Sequence, residues 1–316
     1  NTIRWKKSLN KVIDTQKNYL FRLIEKNIDT EFGDKNGFSK IDSVSSFQKQ
    51  VPIRSYDELI PYIDRALEGI TGVLTKESIT RFGLSSGSTK ASKLIPYTKS
   101  LIAEFQEGIN PWLYYLIKQF PVILLGKSYW SITPIGQTQR YSSGGIPIGF
   151  DDERAYFGKF AQWVLDTVLV VPSQLVLVRD MDSFRYATLR FLLQEKTLSW
   201  ISVWNPVFAI LFLDSLQHYF DNLVEDIRMG SLSVNLGLKE DIEKSISSRL
   251  KKDPKRAREL QTLRSACGGK SFTDQDNNGR TFYEVLWPQL RLISCWMHAG
   301  SKNDVRKLRV CFPNVV

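Results

Sequence analysis

Two short apolar segments, Ile79–Leu84 and Leu94–Thr98, bracket the stretch Ser85-Ser86-Gly87-Ser88-Thr89-Lys90-Ala91-Ser92-Lys93, and this pattern constrains the chain most. Both flanks are rich in β-branched and aromatic residues and read as strands. Pro96 has no N–H to give to a ladder, so the second is expected at a sheet edge or to be short. Between them stand five consecutive small residues, four with hydroxyls. Such a loop lets the backbone approach a polyphosphate, with N–H groups converging as an anion nest. Lys90 or Lys93 could neutralise phosphate charge. On composition alone the same stretch also reads as a solvent-exposed turn.

The rest of the chain alternates helical and strand-like periods. Trp5, Leu9, Val12, Ile13, Leu20, Leu23, Ile24 and Ile28 predict a first helix over 5–28, ended by Gly33 and Gly37. Phe38–Phe47 reads as a polar connection. Ser55 with Glu58 reads as a capping box for a short helix that Pro61 ends or kinks. Ser100–Lys118 and Ser183–Leu193 have helical spacing. Val122–Leu125, Val168–Val171, Leu175–Val178 and Leu290–Cys295 read as strands. Asn205-Pro206 is a helix start and Gly230 its stop, with Val207, Ile210, Leu211, Leu216, Phe220, Leu223, Val224 and Ile227 facing inward. Charged helices are expected over Asp241–Leu250 and Lys255–Leu263, and a short one over Asp304–Val310. This alternation predicts an α/β core.

Composition narrows the chemistry. In 316 residues, 42% hydrophobic and 24% charged residues are those of a globular chain that can bury a large core. Two histidines and three cysteines without a CxxC pair exclude zinc-ligand spacing, and make a Ser-His-Asp hydrolase hard to build. The odd cysteine count favours a reducing, cytoplasmic compartment over a disulfide framework. A net charge of +10 raises nucleic acid, membrane surface or an anionic small substrate as partners. The densest basic run, Arg249–Arg258, is flanked by Glu240, Asp241, Glu243 and Glu259 and reads as a solvated helix pair with a turn at Asp253-Pro254. No nucleic-acid motif and no membrane span is read. Asn1, rather than methionine, is expected of numbering that begins inside a longer chain.

The flanks of the small-residue loop narrow the reading further. Phe82-Gly-Leu-Ser-Ser-Gly-Ser-Thr89, followed by Lys93-Leu-Ile-Pro-Tyr-Thr98, resembles the phosphate loop of adenylate-forming enzymes. With Ser-Ser-Gly ahead and Ile-Pro after, it is similar to the acyl acid–amido synthetases, the auxin-responsive Gretchen Hagen family. Lys90-Ala91-Ser92 stand where such loops often carry a second glycine or proline. Val51–Ile63, Gly126–Trp130, Gly144–Gly149 (in the bacterial style), Ile201–Pro206 and Trp287–Trp296 resemble further blocks of that family in order.

This resemblance implies packed β-sheets flanked by helices, an incomplete large domain of an adenylate-forming enzyme. Residues 1–75 would be a helical lead-in and 76–316 the incomplete adenylation domain, with the small C-terminal domain absent. It implies a ligase that uses ATP and Mg2+ to adenylate a small carboxylic acid and passes the acyl group to an amino acid. An acyl–coenzyme A ligase, or a non-catalytic remnant binding a nucleotide or a partner through helices 239–258, are the alternatives. Ser85, Ser86, Gly87, Ser88, Thr89 and Lys93 would contact phosphate. No catalytic residue is assigned, and no metal ligand. This stretch alone is expected to be inactive, and its oligomeric state is open.

Other constellations carry less. Ser143, Gly144 and Gly145 could line an acyl pocket, or form a flexible turn. Trp204 could add an aromatic wall, though an aromatic beside a helix cap is more often core. Asp151-Asp152-Glu153 points three ways and reads as a helix start. Ser265–Ser271 imitates the end of a Walker A motif, but Arg264 stands where its first glycine should.

Overall fold

The computed structural model describes residues 2–85, 93–131, 140–149, 167–267 and 271–316. Among these, seven strands form: β1 (Ile79–Leu84), β2 (Leu94–Thr98), β3 (Lys127–Trp130), β4 (Arg140–Tyr141), β5 (Pro147–Ile148), β6 (Leu198–Ser202) and β7 (Leu292–Ser294). They make two sheets flanked by helices, the α/β class the sequence predicts. The chain divides into two compact units: Asn1–Tyr114 with Gln137–Asp151, and Tyr115–Gly136 with Asp152–Val316.

In the first unit the expected single helix is two, α1 (Thr2–Leu9) and α2 (Val12–Lys26). Asn10 and Lys11 donate to Lys7 and Ser8, three residues back, which tightens the chain and breaks the helix between them. Short helices α3 (Glu31–Lys35) and α4 (Val44–Gln50) follow, where a polar connection was expected around Ser43. Ser43 and Ser46 there form a reciprocal capping box. Pro61 opens α5 (Ile60–Leu67) instead of ending a helix, because a first-turn residue needs no N–H partner. Ser55 N–H and hydroxyl both donate to Glu58, closing a turn ahead of that helix.

The sheet of this unit has the order β2-β1-β5-β4, with β1 antiparallel to β2 and parallel to β5. Pro96 lies on the edge strand, as its missing N–H requires. Phe82 of β1 is buried against Ile63 and Ala66 of α5. The long helix α6 (Lys99–Gln119) starts directly after β2. Its Ser100 N–H and Lys26 of α2 both donate to Glu77, at 3.0 and 2.8 Å.

In the second unit β3, β6 and β7 lie side by side, all parallel. Three of the expected strands are not strands. Pro121–Leu125 and Ser173–Leu177 are 3-10 turns, and around Leu169 only an isolated bridge to Ser128 forms. Each 3-10 turn begins at or just after a proline, whose fixed φ and missing N–H favour a turn over a ladder. Leu175 and Val176 are buried all the same, so their apolar run reports burial and not strand pairing.

The core is organised around α8 (Pro206–Met229), packed against α7 (Met181–Gln194). Asn205 caps it by accepting from Val207 N–H at 3.0 Å, and Gly230 ends it at φ +76°. Ala209, Phe212, Leu213, Leu216, Phe220, Leu223, Val224 and Ile227 are buried. In its first turns the buried stripe is thus rotated from the expected Val207, Ile210 and Leu211. Next come α9 (Glu240–Ser247) and α10 (Pro254–Ala266), the expected charged pair. Then come α11 (Phe282–Leu286) and α12 (Lys302–Cys311). Both α10 and α12 also pack on α8.

Two buried arginines fasten this core. Arg190 is fully buried and donates to the carbonyls of Asp226, Ser231 and Lys251 and to Gln194. Asp226, also buried, accepts from Tyr186 at 2.8 Å, from the Ser231 hydroxyl at 2.8 Å and from Ser233 through N–H and hydroxyl. Arg256 belongs to the basic run expected on a solvated face, yet it is buried and donates to the carbonyls of Leu193 and Leu286. A guanidinium presents its donors in a fixed fork, and here each fork joins carbonyls of segments distant in the chain. Among the described residues no helix is long and apolar enough to cross a membrane, and the three cysteines are free.

Two outcomes follow from these contacts. Asp226→Ala leaves the buried Tyr186 hydroxyl and three donors of the more exposed Ser231 and Ser233 without their acceptor and should cost about 2 kcal/mol, read as a lowered urea midpoint. For Glu77, burial works against the charge, but hydrogen bonds from Lys26 and Ser100 outweigh it and hold the pKa down to about 2 from an ordinary 4.5. A folded pKa below the unfolded one gives stability that is complete above the unfolded value and is lost as pH falls towards the folded one. Glu77→Gln should therefore flatten the fall of the urea midpoint between pH 4.5 and 2.

Candidate functional site

The small-residue loop is rooted on a closed antiparallel neck. Leu84 of β1 pairs with Leu94 of β2. One residue further out, Ser85 N–H donates to the Lys93 carbonyl at 2.9 Å, and Lys93 N–H donates to Ser85 Oγ at 3.2 Å. Ser85 and Lys93 are thus brought together as the last rung. Ser86, Gly87, Ser88 and Thr89 lie outside the described residues, as does Lys90. The Ser85 hydroxyl oxygen is occupied as an acceptor, which leaves its proton to be donated. The Lys93 side chain is exposed, its ammonium 5.4 Å from the centre of the Tyr56 ring. Gly83-Leu84-Ser85-Ser86-Gly87 also has the spacing of a hydrolase nucleophile turn. That motif needs a strand-to-helix turn, whereas Ser85 is hydrogen-bonded into an antiparallel strand pair.

Ser143, Gly144 and Gly145 form the turn between β4 and β5. Gly144 N–H and the Ser143 hydroxyl both donate to the Leu67 carbonyl at the end of α5, at 2.8 and 3.2 Å. A Cβ on Gly144 would lie 2.3 Å from the Gly69 nitrogen and 2.4 Å from the Glu68 carbonyl carbon, so only glycine fits this crossing. Beside it a cavity of about 220 Å3 is lined by Gly69, Ser78, Ile79 and Ile146. That is smaller than the ~300–1,000 Å3 of ordinary ligand pockets. The cavity lies at the start of β1, and the Ser85–Lys93 neck at its other end.

Trp204 belongs to the second unit. There β6 and β7 run parallel and their chains leave the sheet at the same edge, where Val203 N–H donates to Ser294 and Trp296 N–H to Trp204. Trp204 is 44% exposed and Trp296 59%, their ring centroids 6.0 Å apart at 66°. Trp204 is therefore not core packing. In open parallel sheets, ligands lie beyond the carboxyl ends of the strands, the edge at which this aromatic pair stands. The sequence flagged Trp204 but not Trp296 or Tyr56, whose significance comes from partners distant in the chain.

Among the described residues no group of three His, Cys, Asp or Glu side chains could hold a metal ion. Asp151, Asp152 and Glu153 lie outside the described residues, as do Gly268, Gly269 and Lys270 of the Walker-like stretch.

Comparison with known proteins gives one consistent answer. The GH3 family N-terminal domain matches residues 3–316. A jasmonoyl–L-amino acid synthetase of Nicotiana attenuata, JAR4, is 26% identical over 309 residues, covering 93% of this chain and 50% of the relative. A probable indole-3-acetic acid-amido synthetase of Oryza sativa, GH3.12, is 23% identical over 94% of this chain and 48% of its own length. The solved structure of the acyl acid amido synthetase AtGH3.15 in complex with 2,4-DB superimposes with a TM-score of 0.80 at 19% identity, over 100% of this chain and 54% of that one. That likeness establishes the fold. The chain spans about half the length of the curated relatives it matches.

The crossing at Gly144 gives a local test. Gly144→Ala should destabilise the first unit by about 1–3 kcal/mol, because the methyl group meets backbone and not a side chain that can move. Thermal melting followed by circular dichroism reads it, with Gly108→Ala, also in this unit but with an ordinary φ and nothing within 4 Å of its Cβ, as the comparison.

Proposed function

The chain belongs to the GH3 family, and on that premise we propose that the protein is an ATP-dependent ligase that adenylates a carboxylic acid and passes the acyl group to an amino acid amine. The observation that supports it most is the Ser85–Lys93 neck, which holds a hydroxyl and an ammonium at the two roots of a loop of small residues. Ser85, Ser86, Gly87, Ser88 and Thr89 are proposed to donate to the phosphates of ATP, with Lys93 supplying positive charge. Trp204, with Trp296, is proposed as an aromatic wall for the acid. The part proposed for Ser143, Gly144 and Gly145 is support of β5 beside β1. Residues 76–316 are proposed as part of the adenylation domain and 1–75 as its helical lead-in.

The chemistry answers a definite difficulty. A carboxylate is a poor electrophile, because its negative charge must be lost before an amine can add. In the proposed first step a carboxylate oxygen attacks the α-phosphorus of ATP, and pyrophosphate leaves with the electron pair of the broken P–O bond. The amine of the acceptor then attacks the carbonyl carbon of the mixed anhydride, AMP departs, and the amine loses a proton. Donors fixed around the transferring phosphate stabilise its charge without reorganising. Mg2+ would travel with the ATP phosphates, and no step is assigned to it. Jasmonate-like and aryl acids are the proposed substrates, from the names of the relatives. Free thiols suit a reducing compartment, and a cytoplasmic location is part of the proposal.

ATP–pyrophosphate exchange tests this, with protein expressed from its complete reading frame and a panel of aryl and jasmonate-like acids. Exchange with at least one acid is expected, and Lys93→Ala should raise the KM for MgATP about tenfold, the loss of one charge-assisted contact. Adding amino acids should then release AMP and an amide. A thioester formed with coenzyme A instead would reassign the acceptor. Absence of exchange with every acid would remove the ligase reading.

A further inference from the structure

Lys93 is exposed and sits beside a loop of small residues, so something must give its ammonium a place. The structure supplies that from outside the hairpin. Tyr56 lies ahead of α5, thirty-eight residues before Leu94, and its hydroxyl accepts from Leu94 N–H at 2.8 Å while donating to the Leu94 carbonyl at 3.1 Å. Among the described residues β2 is an edge strand, with β1 as its one neighbour in the sheet. A single phenol therefore takes both hydrogen bonds that an adjoining strand would make at that residue. The ring of Tyr56 carries the Lys93 ammonium 5.4 Å from its centre, within cation–π range. At its other end Tyr56 is itself fixed: its carbonyl accepts from Leu59 and Ile60 at the start of α5, and its ring packs with the Ile63–Phe82 cluster.

We propose that Tyr56 is a positioning residue for Lys93, pinning the outgoing root of the loop through its hydroxyl and seating the ammonium on its ring. This rests on the reading of Ser85–Lys93 as a phosphate-binding loop. Two separate functions meet in one side chain. The hydroxyl fixes where the backbone emerges from β2, and the ring limits where a long, flexible lysine can go. An ammonium held near the loop mouth meets phosphate with less ordering left to do. In this reading Tyr56 acts through Lys93, whose ammonium it seats and whose backbone position it sets from the neighbouring Leu94.

The test uses protein expressed from the complete reading frame and two substitutions, Tyr56→Phe, which keeps the ring, and Tyr56→Leu, which keeps neither contact. In pyrophosphate exchange, Tyr56→Leu should raise the KM for MgATP about tenfold and Tyr56→Phe about threefold, with the KM for the acid unchanged. In a Lys93→Ala background, Tyr56→Leu should add less than about twofold, the signature of residues acting through one another. Equal effects on both KM values, loss of activity in proportion to loss of folded protein, or full multiplication of the two substitutions would each overturn the proposal. If the unsubstituted protein exchanges with no acid, the ligase reading fails, and calorimetric Kd values for MgATP judge Tyr56 instead. The same order of weakening supports the proposal, and equal Kd values overturn it. An unsubstituted protein that binds no MgATP removes both readings.

Discussion

Burial of the apolar face of α8 is the constraint on which the second unit depends. From Ala209 to Ile227 that face is covered by α7, α10 and α12, and each owes its position to it. A helix this deep brings a difficulty at its end, where its last carbonyls have no partners within the helix. Gly230 turns the chain in the left-handed region, and Arg190 reaches from α7 to take the Asp226 carbonyl and those of two later residues. Placing a guanidinium in an apolar core is costly unless every donor is used. Here packing and hydrogen bonding are solved together, because the arginine that takes the carbonyls just beyond the helix end also joins α7 to α8.

The candidate site depends on a different kind of order. Nothing about the Ser85–Lys93 loop requires a deep core. It requires two strands that end together and a defined direction of exit. The β1–β2 neck provides the first, and the phenol of Tyr56 the second. At the parallel sheet, the shared C-terminal edge of β6 and β7 sets two tryptophans side by side without any sequence proximity between them. Both arrangements put candidate residues where regular structure stops, on positions that regular structure fixes.

Legibility followed the range of the interactions. The helix from Asn205-Pro206 to Gly230 could be read because its cap, first-turn proline and stop are all local signals. The neck strands could be read because they flank a loop of unusual composition. In the parallel sheet β7 could be read, as part of the apolar run Leu290–Cys295, but β3 and β6 could not. Lys127–Trp130 and Leu198–Ser202 carry lysine, serine and tryptophan, and they pair with segments some seventy residues away. Nearby runs such as Val122–Leu125 and Leu175–Val178 are more apolar, and prolines turned them into 3-10 turns. Arg256 was misplaced for the same reason: its charge was visible, whereas the carbonyls of Leu193 and Leu286 that bury it were not. Trp204 was noticed, but its partner Trp296 is ninety-two positions on, beyond any periodic signal.

The guanidinium of Arg190 has one more consequence. It holds the carbonyls of Ser231 and Lys251, so the chain departs from one side chain and comes back to it. Gly230 and Lys252 press together at the same place, leaving no room for even a methyl group between them. The excursion from 231 to 251 is thereby closed at its base, like a handle riveted to a lid. The length of a closed handle is nearly independent of what it is fastened to, since loop entropy changes slowly with residue number. Gly237, exposed and with open space around it, stands on this handle. Added length at Gly237 would leave that base closed, while Leu236 and Ile246 keep the rest of the handle seated on the core.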